Sequence, residues 1–240
     1  MFKQVMILIV IGMVGLTAQA QPLAQYTFDD STALDVTGNG NDGILLVNPD
    51  DPNVAAEVVD DPNRGQVLKL NGSISMQLDG PFNITTSMTL LFWAKFESGR
   101  YFFTGPFTVR TDRQDTDDRD WIEFRYPEND KVNKHNPKSE ANPLGFLDGQ
   151  WHHYAFVLVS EGNNYAYFDG VLLPTRDDAV KAHDFGGAVG PIFVGRESDG
   201  MVGCMDEIAL YNVALGVDVI TDIMLATTPI ITVETMDSIE

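Results

Sequence analysis

Acidic and amide side chains cluster early in the chain, at a spacing that could hold a metal ion. Asp29 and Asp35 are followed by residues 38–43, which read Gly-Asn-Gly-Asn-Asp-Gly. Calcium prefers several hard oxygen ligands, and carboxylates, Asn side chains and loop carbonyls supply them. Glycines let the backbone turn tightly enough to aim carbonyls at one point. The same residues also suit a tight turn between two strands with solvated carboxylates, and the spacing alone favours that turn.

Asp206 and Glu207 form a second group, because they interrupt the otherwise apolar run from Gly203 to Tyr211. A charge at a core-facing position of a strand must be paired, capped or bound to a metal. Alternatively, Asp206 is the first residue of the strand and accepts hydrogen bonds from backbone N–H groups. Both interpretations remain open at this point.

A third group lies in a predicted strand at residues 121–126. Strand alternation places Trp121, Glu123 and Arg125 on one face. An aromatic ring beside a carboxylate and a guanidinium can stack on a sugar and bond its hydroxyls, so these three residues are candidates for ligand binding. The simpler alternative, a half-exposed strand with a Glu–Arg pair, is favoured by the pattern alone.

Signatures of catalysis are missing from the sequence. It contains no Glu-x-Asp-x-x-Glu pattern for a glycosidase, no Gly-x-Ser-x-Gly elbow and no His-Glu-x-x-His zinc helix. Asp206 and Glu207 are the nearest acidic pair, but adjacent residues of a regular strand face opposite ways. The sequence therefore predicts a protein that is not an enzyme.

The elements that would position these groups are mostly strands. Residues 151–159 are apolar on both faces, which is typical of a strand covered on each side, and Asp169-Gly170 suits a tight hairpin turn. Trp151, His152 and His153 are interpreted as packing residues, because nothing nearby completes a site. Many short strands between Gly, Asn and Asp indicate a sandwich or jelly roll. The predicted strands are Gln25–Phe28, Gly43–Leu46, Val67–Leu70, Ile74–Leu78, Met88–Phe96, Tyr101–Phe103, Trp121–Tyr126, Trp151–Val159, Tyr165–Phe168, Ile192–Gly195 and Glu207–Tyr211.

One helix is predicted over Val217–Leu225, near the end of the chain. Residues 48–65 and 127–143 are rich in polar, Asn and Pro residues and are expected to be surface loops. The fold class is therefore all-β, with one short C-terminal helix.

Composition and the first residues predict an exported protein. Residues 1–20 resemble a secretory signal peptide, with Lys3, an apolar run over Val5–Leu16 and an Ala-Gln-Ala cleavage pattern. A domain is expected over residues 21–227 and a tail over 228–240. The formal net charge of −20 disfavours nucleic acid and anionic lipid as partners.

Motifs in a fixed order resemble the laminin G-like jelly roll of the concanavalin A-like lectin/glucanase superfamily, in its bacterial secreted form. The matching segments are residues 26–29 with 37–43, 67–72, 88–95, 149–155, 168–170 and 203–215. The resemblance implies two antiparallel sheets packed face to face, with the first and last strands adjacent and the Asp29 region near Asp206. It also implies a structural Ca²⁺ ion, for which the best-placed residues are Asp29, Asp35, Asn39, Asn41 and Asp206. The segment 104–143 departs from the family and is expected to be an additional loop.

The leading hypothesis is a secreted, non-catalytic recognition module that binds glycan, with calcium as a structural aid. The alternative is an extracellular protein–protein, adhesion or structural module. A glycoside hydrolase is the third possibility, because this fold family hosts enzymes as well as lectins. It is the weakest of the three, because the catalytic signatures are missing from the sequence.

Overall fold

The computed structural model describes residues 20–47, 55–72, 75–98, 104–111, 120–124, 148–159, 165–173, 189–195 and 201–229. In this part of the chain, strands form two antiparallel sheets, and one helix follows the last strand. The strands are β1 (Ala24–Tyr26), β2 (Gly43–Leu45), β3 (Glu57–Asp61), β4 (Gly65–Asn71), β5 (Met76–Leu78), β6 (Ser87–Ser98), β7 (Thr104–Thr111), β8 (Asp120–Phe124), β9 (Trp151–Val159), β10 (Tyr165–Phe168), β11 (Val171–Leu172), β12 (Val189–Val194) and β13 (Val202–Tyr211). The helix is α1 (Val217–Ala226).

The larger sheet has the order β11-β10-β9-β6-β13-β4-β3, and the smaller sheet has the order β2-β5-β12-β7-β8. Strand β13 pairs with β6 on one side. On its other side it pairs first with β4 and then with β1. The first and last strands are therefore adjacent, as the resemblance implied, and the all-β jelly-roll prediction is confirmed.

Alternation along β6 creates the two faces of the larger sheet. Leu90, Phe92 and Phe96 are fully buried in the main core, where Phe92 stacks on Tyr154 at 5.2 Å between ring centroids. Leu91 belongs instead to a second apolar cluster on the opposite face. Apolar residues on both faces of one strand follow from coverage on both sides.

Helix α1 covers part of that opposite face. Ile220 of the helix is fully buried and packs in the cluster that contains Leu91 and Tyr211. The loop before the helix is fixed by Thr89, whose hydroxyl donates to the Val213 carbonyl at 2.7 Å and accepts from the Leu215 N–H at 3.0 Å. These contacts fix the start of the helix on the sheet.

Several predicted elements are found with the same or nearly the same bounds. Strands β9 and β10 are as predicted, and α1 extends one residue further than expected. Asp169 and Gly170 both have positive φ, of 48° and 75°, as a tight hairpin turn requires. His153 is buried and packs on the ring of Trp93 at 5.4 Å between centroids, which confirms its packing role.

Three strands were not predicted from the sequence. Strand β3 lies at a sheet edge, β11 is short and also at an edge, and β7 contains the turn-like pair Gly105-Pro106. Strand β3 lies inside the expected surface loop 48–65, and β7 lies inside the expected extra loop 104–143. Strand β11 has only two residues. The predictions that concern residues 1–19, 101–103, 127–143 and 230–240 fall outside the described residues. Within the described ranges, no helix has the length and apolar character needed to cross a membrane.

Candidate functional site

A pocket of about 300 Å³ lies where four segments of the chain meet. They are the turn after β1, the turn between β3 and β4, the middle of β13 and the C-terminal end of α1. We call it the Arg64 pocket. Its lining residues are Asp29, Asn63, Arg64, Asp206, Glu207, Ala226, Thr227, Thr228 and Pro229.

Arg64 is almost completely buried at this pocket, with 3% of its side chain exposed. Its Nε donates to Asp206 Oδ2 at 2.8 Å, and its Nη2 donates to the Thr227 carbonyl at 3.0 Å. The guanidinium carbon lies 4.6 Å from the ring centroid of Trp93 and 5.3 Å from that of Trp151. The remaining nitrogen, Nη1, is buried without a hydrogen-bond partner among the described residues. An unpaired buried donor is costly, so an acceptor that reached Nη1 from the pocket would relieve that cost.

The turn that carries Arg64 is held by a second buried polar group. The Asp61 carboxylate forms an ion pair with Lys95 and accepts hydrogen bonds from the Trp151 indole at 3.0 Å and the Asn63 N–H at 2.9 Å. Burial acts to raise the pKa of Asp61, but these hydrogen bonds and the Lys95 charge outweigh it and lower the pKa. Asp61 therefore stays ionised and keeps the turn in place under Arg64.

Asp206 and Glu207 both line the pocket, although they are adjacent in β13. The pairing of β13 with β6 shifts register between Asp206 and Ala209, and Glu207 has a φ of 51°. Such a bulge inserts an extra residue and redirects side chains. The expectation that these two carboxylates point in opposite directions is therefore wrong, because it assumed a regular strand.

Asp206 is buried inside β13, where it forms an ion pair with Arg64 and accepts a backbone hydrogen bond. Of the two interpretations that the sequence left open, the structure supports a paired charge within the strand rather than a residue at its start. Asp206 lies within a strand that begins at Val202, so the prediction that β13 starts at Glu207 was wrong. Besides the Arg64 contact, its Oδ1 accepts the Glu207 N–H at 2.8 Å. Burial raises the pKa of Asp206 to about 7 against the opposing charge of Arg64. Burial also raises the pKa of Glu207, whose Oε2 accepts from Gln25 Nε2 at 3.2 Å.

The five residues predicted as calcium ligands divide into two groups. Asp29 and Asp206 line the Arg64 pocket, as the resemblance implied, whereas Asp35, Asn39 and Asn41 organise the loop after β1. The Asp35 carboxylate accepts the N–H groups of Gln25, Thr37 and Asn41 at 3.0–3.2 Å and the Thr37 hydroxyl at 2.7 Å. The side-chain amides of Asn39 and Asn41 both donate to the Leu23 carbonyl, at 3.1 and 2.8 Å.

These contacts do not assemble the predicted set as one calcium site. Both oxygens of Asp35 and both of Asp206 already accept hydrogen bonds. In the part of the chain that the structure describes, no three Asp, Glu, His or Cys side chains are grouped so that they could hold a metal ion. Calcium binding stays a prediction.

The predicted ligand-binding face at residues 121–125 belongs to a different sheet. Trp121 and Glu123 lie in β8, at the edge of the smaller sheet, where Trp121 is opposite Thr108 of β7. Arg125 lies outside the described residues. This candidate also stays a prediction.

Sequence reasoning missed Arg64, Trp93 and Thr227 as parts of a site. Arg64 and Asp206 are separated by 142 residues, and Trp93 and Thr227, which share a hydrogen bond of 2.9 Å, by 134. The only local signal was an Arg within a turn-like Asp-Pro-Asn-Arg-Gly segment of an acidic chain. Nothing in that segment specifies which distant carboxylate it contacts.

The chain belongs to the concanavalin A-like lectin/glucanases superfamily, because residues 69–221 match that family model. A search of curated protein sequences found no match. The fold is shared with domain 4 of AbnA, a GH43 extracellular arabinanase from Geobacillus stearothermophilus, which was solved in complex with arabinotriose. Identity is 23%, the TM-score is 0.59, and the alignment covers 85% of this chain and 98% of that chain.

Two toxin binding domains share the fold at lower identity. The binding domain of Paraclostridial Mosquitocidal Protein 1 is 11% identical with a TM-score of 0.55, covering 85% of this chain and 52% of the other. The ligand-binding domain of botulinum neurotoxin serotype D, in complex with N-acetylneuraminic acid, is 10% identical with a TM-score of 0.51, covering 85% and 50%. The chain therefore spans about half the length of these two toxin domains.

Proposed function

We propose that this protein is a secreted, non-catalytic recognition module that binds carbohydrate in the Arg64 pocket. The observation that carries the proposal is the buried Arg64 Nη1, which lacks a partner among the described residues and belongs to a residue lining the pocket. Membership of a lectin/glucanase family and the sugars in two of the solved relatives support it. The secretion part rests on the predicted signal peptide.

The chemistry of the lining suits sugar hydroxyls. A hydroxyl can accept from Arg64 Nη1 and at the same time donate to a carboxylate such as Asp29 or Glu207. The described lining contains no aromatic ring, so recognition rests on hydrogen bonds rather than on stacking. Trp93 and Trp151 act indirectly, because the guanidinium of Arg64 packs over both rings.

The same contacts favour binding over hydrolysis. Glycoside hydrolysis needs two carboxyl groups flanking the scissile bond, one as acid and one as nucleophile or base. Asp206 is occupied by Arg64 and by the Glu207 N–H, which makes it a poor nucleophile. Glu207 is held by Gln25. The pocket is therefore better suited to holding a sugar than to cleaving one.

Carbohydrate binding is tested by titrating the protein with neutral and acidic oligosaccharides, including arabinotriose and sialylated glycans, and comparing variants. Arg64→Lys is expected to weaken binding about 10- to 100-fold, because a lysine that pairs with Asp206 cannot also present the Nη1 donor. Lys69→Gln removes an exposed cation that pairs with Glu57 and serves as the control.

Two results would contradict the proposal in different ways. Loss of binding in Trp121→Ala but not in Arg64→Lys would move the site to the β8 face. Absence of binding to every glycan would favour the protein–protein alternative.

Calcium is tested separately, by thermal unfolding of metal-free protein with excess calcium and with chelator. If Asp29 and Asp206 hold the ion, binding to the folded state alone adds about 3 kcal/mol of stability at a hundredfold excess over the dissociation constant. The gain should disappear in Asp29→Asn. An unchanged midpoint would contradict the calcium prediction and leave the carbohydrate proposal intact.

A further inference from the structure

We infer that the Arg64 pocket selects uncharged sugars and rejects sugars that carry a carboxylate. This inference rests on the proposed function and names the class of ligand for the same site. Two independent features of the pocket lead to it: the hydrogen-bonding capacity left on Arg64 and the charges of the lining.

Arg64 already uses one edge of its guanidinium within the protein. An arginine normally recognises a carboxylate through two parallel N–H···O bonds from one edge of the guanidinium. Here Nε donates to Asp206 and Nη2 to the Thr227 carbonyl, so the edge formed by Nε and Nη2 is occupied, and Nη1 is buried. Since only 3% of the side chain is exposed, an entering carboxylate finds no open edge for two parallel bonds, whereas a hydroxyl or a ring oxygen needs only one N–H.

The charges of the lining also oppose an anionic ligand. Among the described lining residues, three are acidic and Arg64 is the one cation, already paired with Asp206 at 2.8 Å. Neither Asp29 nor Glu207 forms an ion pair with a cation of the pocket. Burial and the charge of Asp29 raise the pKa of Glu207, although the charge of Arg64 and the hydrogen bond from Gln25 act in the opposite direction. A sugar carboxylate would meet these two carboxylates, whereas hydroxyls would donate hydrogen bonds to them.

The test uses pairs of oligosaccharides that share a backbone and differ in charge. Calorimetric titrations would compare cellohexaose with its C6-oxidised form, methyl-esterified with free oligogalacturonides, and N-acetyllactosamine with its sialylated form. In every pair that binds, the neutral member is expected to bind at least about tenfold more tightly at low salt, where charge repulsion is least screened. The preference should shrink as salt is added.

A double variant, Asp29→Asn with Glu207→Gln, identifies the source of the preference. The replacements keep side-chain size and one acceptor oxygen each, and a cooperative unfolding transition would confirm the fold. We expect the acidic member of each binding pair to come within about threefold of the neutral one.

The possible outcomes distinguish a failure of the charge preference from a failure of carbohydrate binding in the Arg64 pocket. Equal or tighter binding of acidic sugars, weakened by Arg64→Lys, would overturn the inference and retain the site. A preference that survives in the double variant would also overturn it, because the carboxylates would not be its cause. Failure of both members of all pairs, together with the wider glycan panel, would overturn the proposed function and the inference with it.

Discussion

Replacing Arg64 with Met is expected to lower the free energy of unfolding at pH 8 by about 3–5 kcal/mol, because it leaves a buried carboxylate without its partner. Asp206 has 6% of its side chain exposed and receives its charged hydrogen bond from Arg64 alone among the described residues. The variant also loses the donor to the Thr227 carbonyl and the contacts of the guanidinium with Trp93.

Urea unfolding at pH 8 and pH 5 measures this effect. The loss should be smaller at pH 5, because burial raises the pKa of Asp206 to about 7 and the carboxyl is then neutral. Lys69→Met is the control, since its partner Glu57 is exposed and surface pairs contribute about 0–1 kcal/mol. A loss below about 1 kcal/mol at pH 8 would show that Arg64 is not the counterion of Asp206.

The second large effect is expected in the pH dependence of the free energy of unfolding, to which Asp206 contributes. Between its unfolded pKa near 4 and its folded pKa of about 7, the native state keeps a proton that the unfolded chain has released. Stability contributed by this group is therefore fully present at low pH and is lost as pH rises towards 7. Relative to Asp206→Asn, the wild-type protein should lose about 2–3 kcal/mol between pH 5 and pH 8.

The comparison with Asp206→Asn is needed because other groups also titrate. Burial lowers the pKa of His153 to about 4, so its contribution rises with pH over part of the same range. Asp35 and Asp61 have lowered pKa values, and their contributions are lost only at more acidic pH. Burial also raises the pKa of Glu207, and the charge of Glu207 acts on Asp206, so subtracting the variant's unfolding curve isolates Asp206 together with its coupling to Glu207. If the free energies of unfolding of the wild-type protein and Asp206→Asn change with pH in the same way, the raised pKa of Asp206 is contradicted.

Much of the fold could be predicted because its long strands have strong local patterns. Residues 151–159 are apolar on both faces, and they form the strand next to β6 in a sheet covered on both sides. Strand β3 could not be recognised, because Glu57–Asp61 is polar and lies at the sheet edge, where only β4 pairs with it. Edge strands need less apolar surface and so leave a weaker signal.

The site was only partly predictable, because its contacts link distant parts of the chain. The sequence identified Asp29, Asp206 and Glu207 as unusual but assigned two of them to calcium. The residue that neutralises Asp206 is Arg64, in a turn that local pattern had placed in a surface loop. The bulge that brings Glu207 into the same pocket breaks strand alternation, which is the rule that sequence reasoning must assume.

The most direct test of the account is a crystal structure of the protein with the tightest-binding neutral oligosaccharide from the titrations. We expect a sugar in the Arg64 pocket, with a hydroxyl or ring oxygen about 3 Å from Arg64 Nη1 and further hydroxyls on Asp29 or Glu207. A sugar bound instead across β8, with none in the Arg64 pocket, would contradict carbohydrate binding in that pocket.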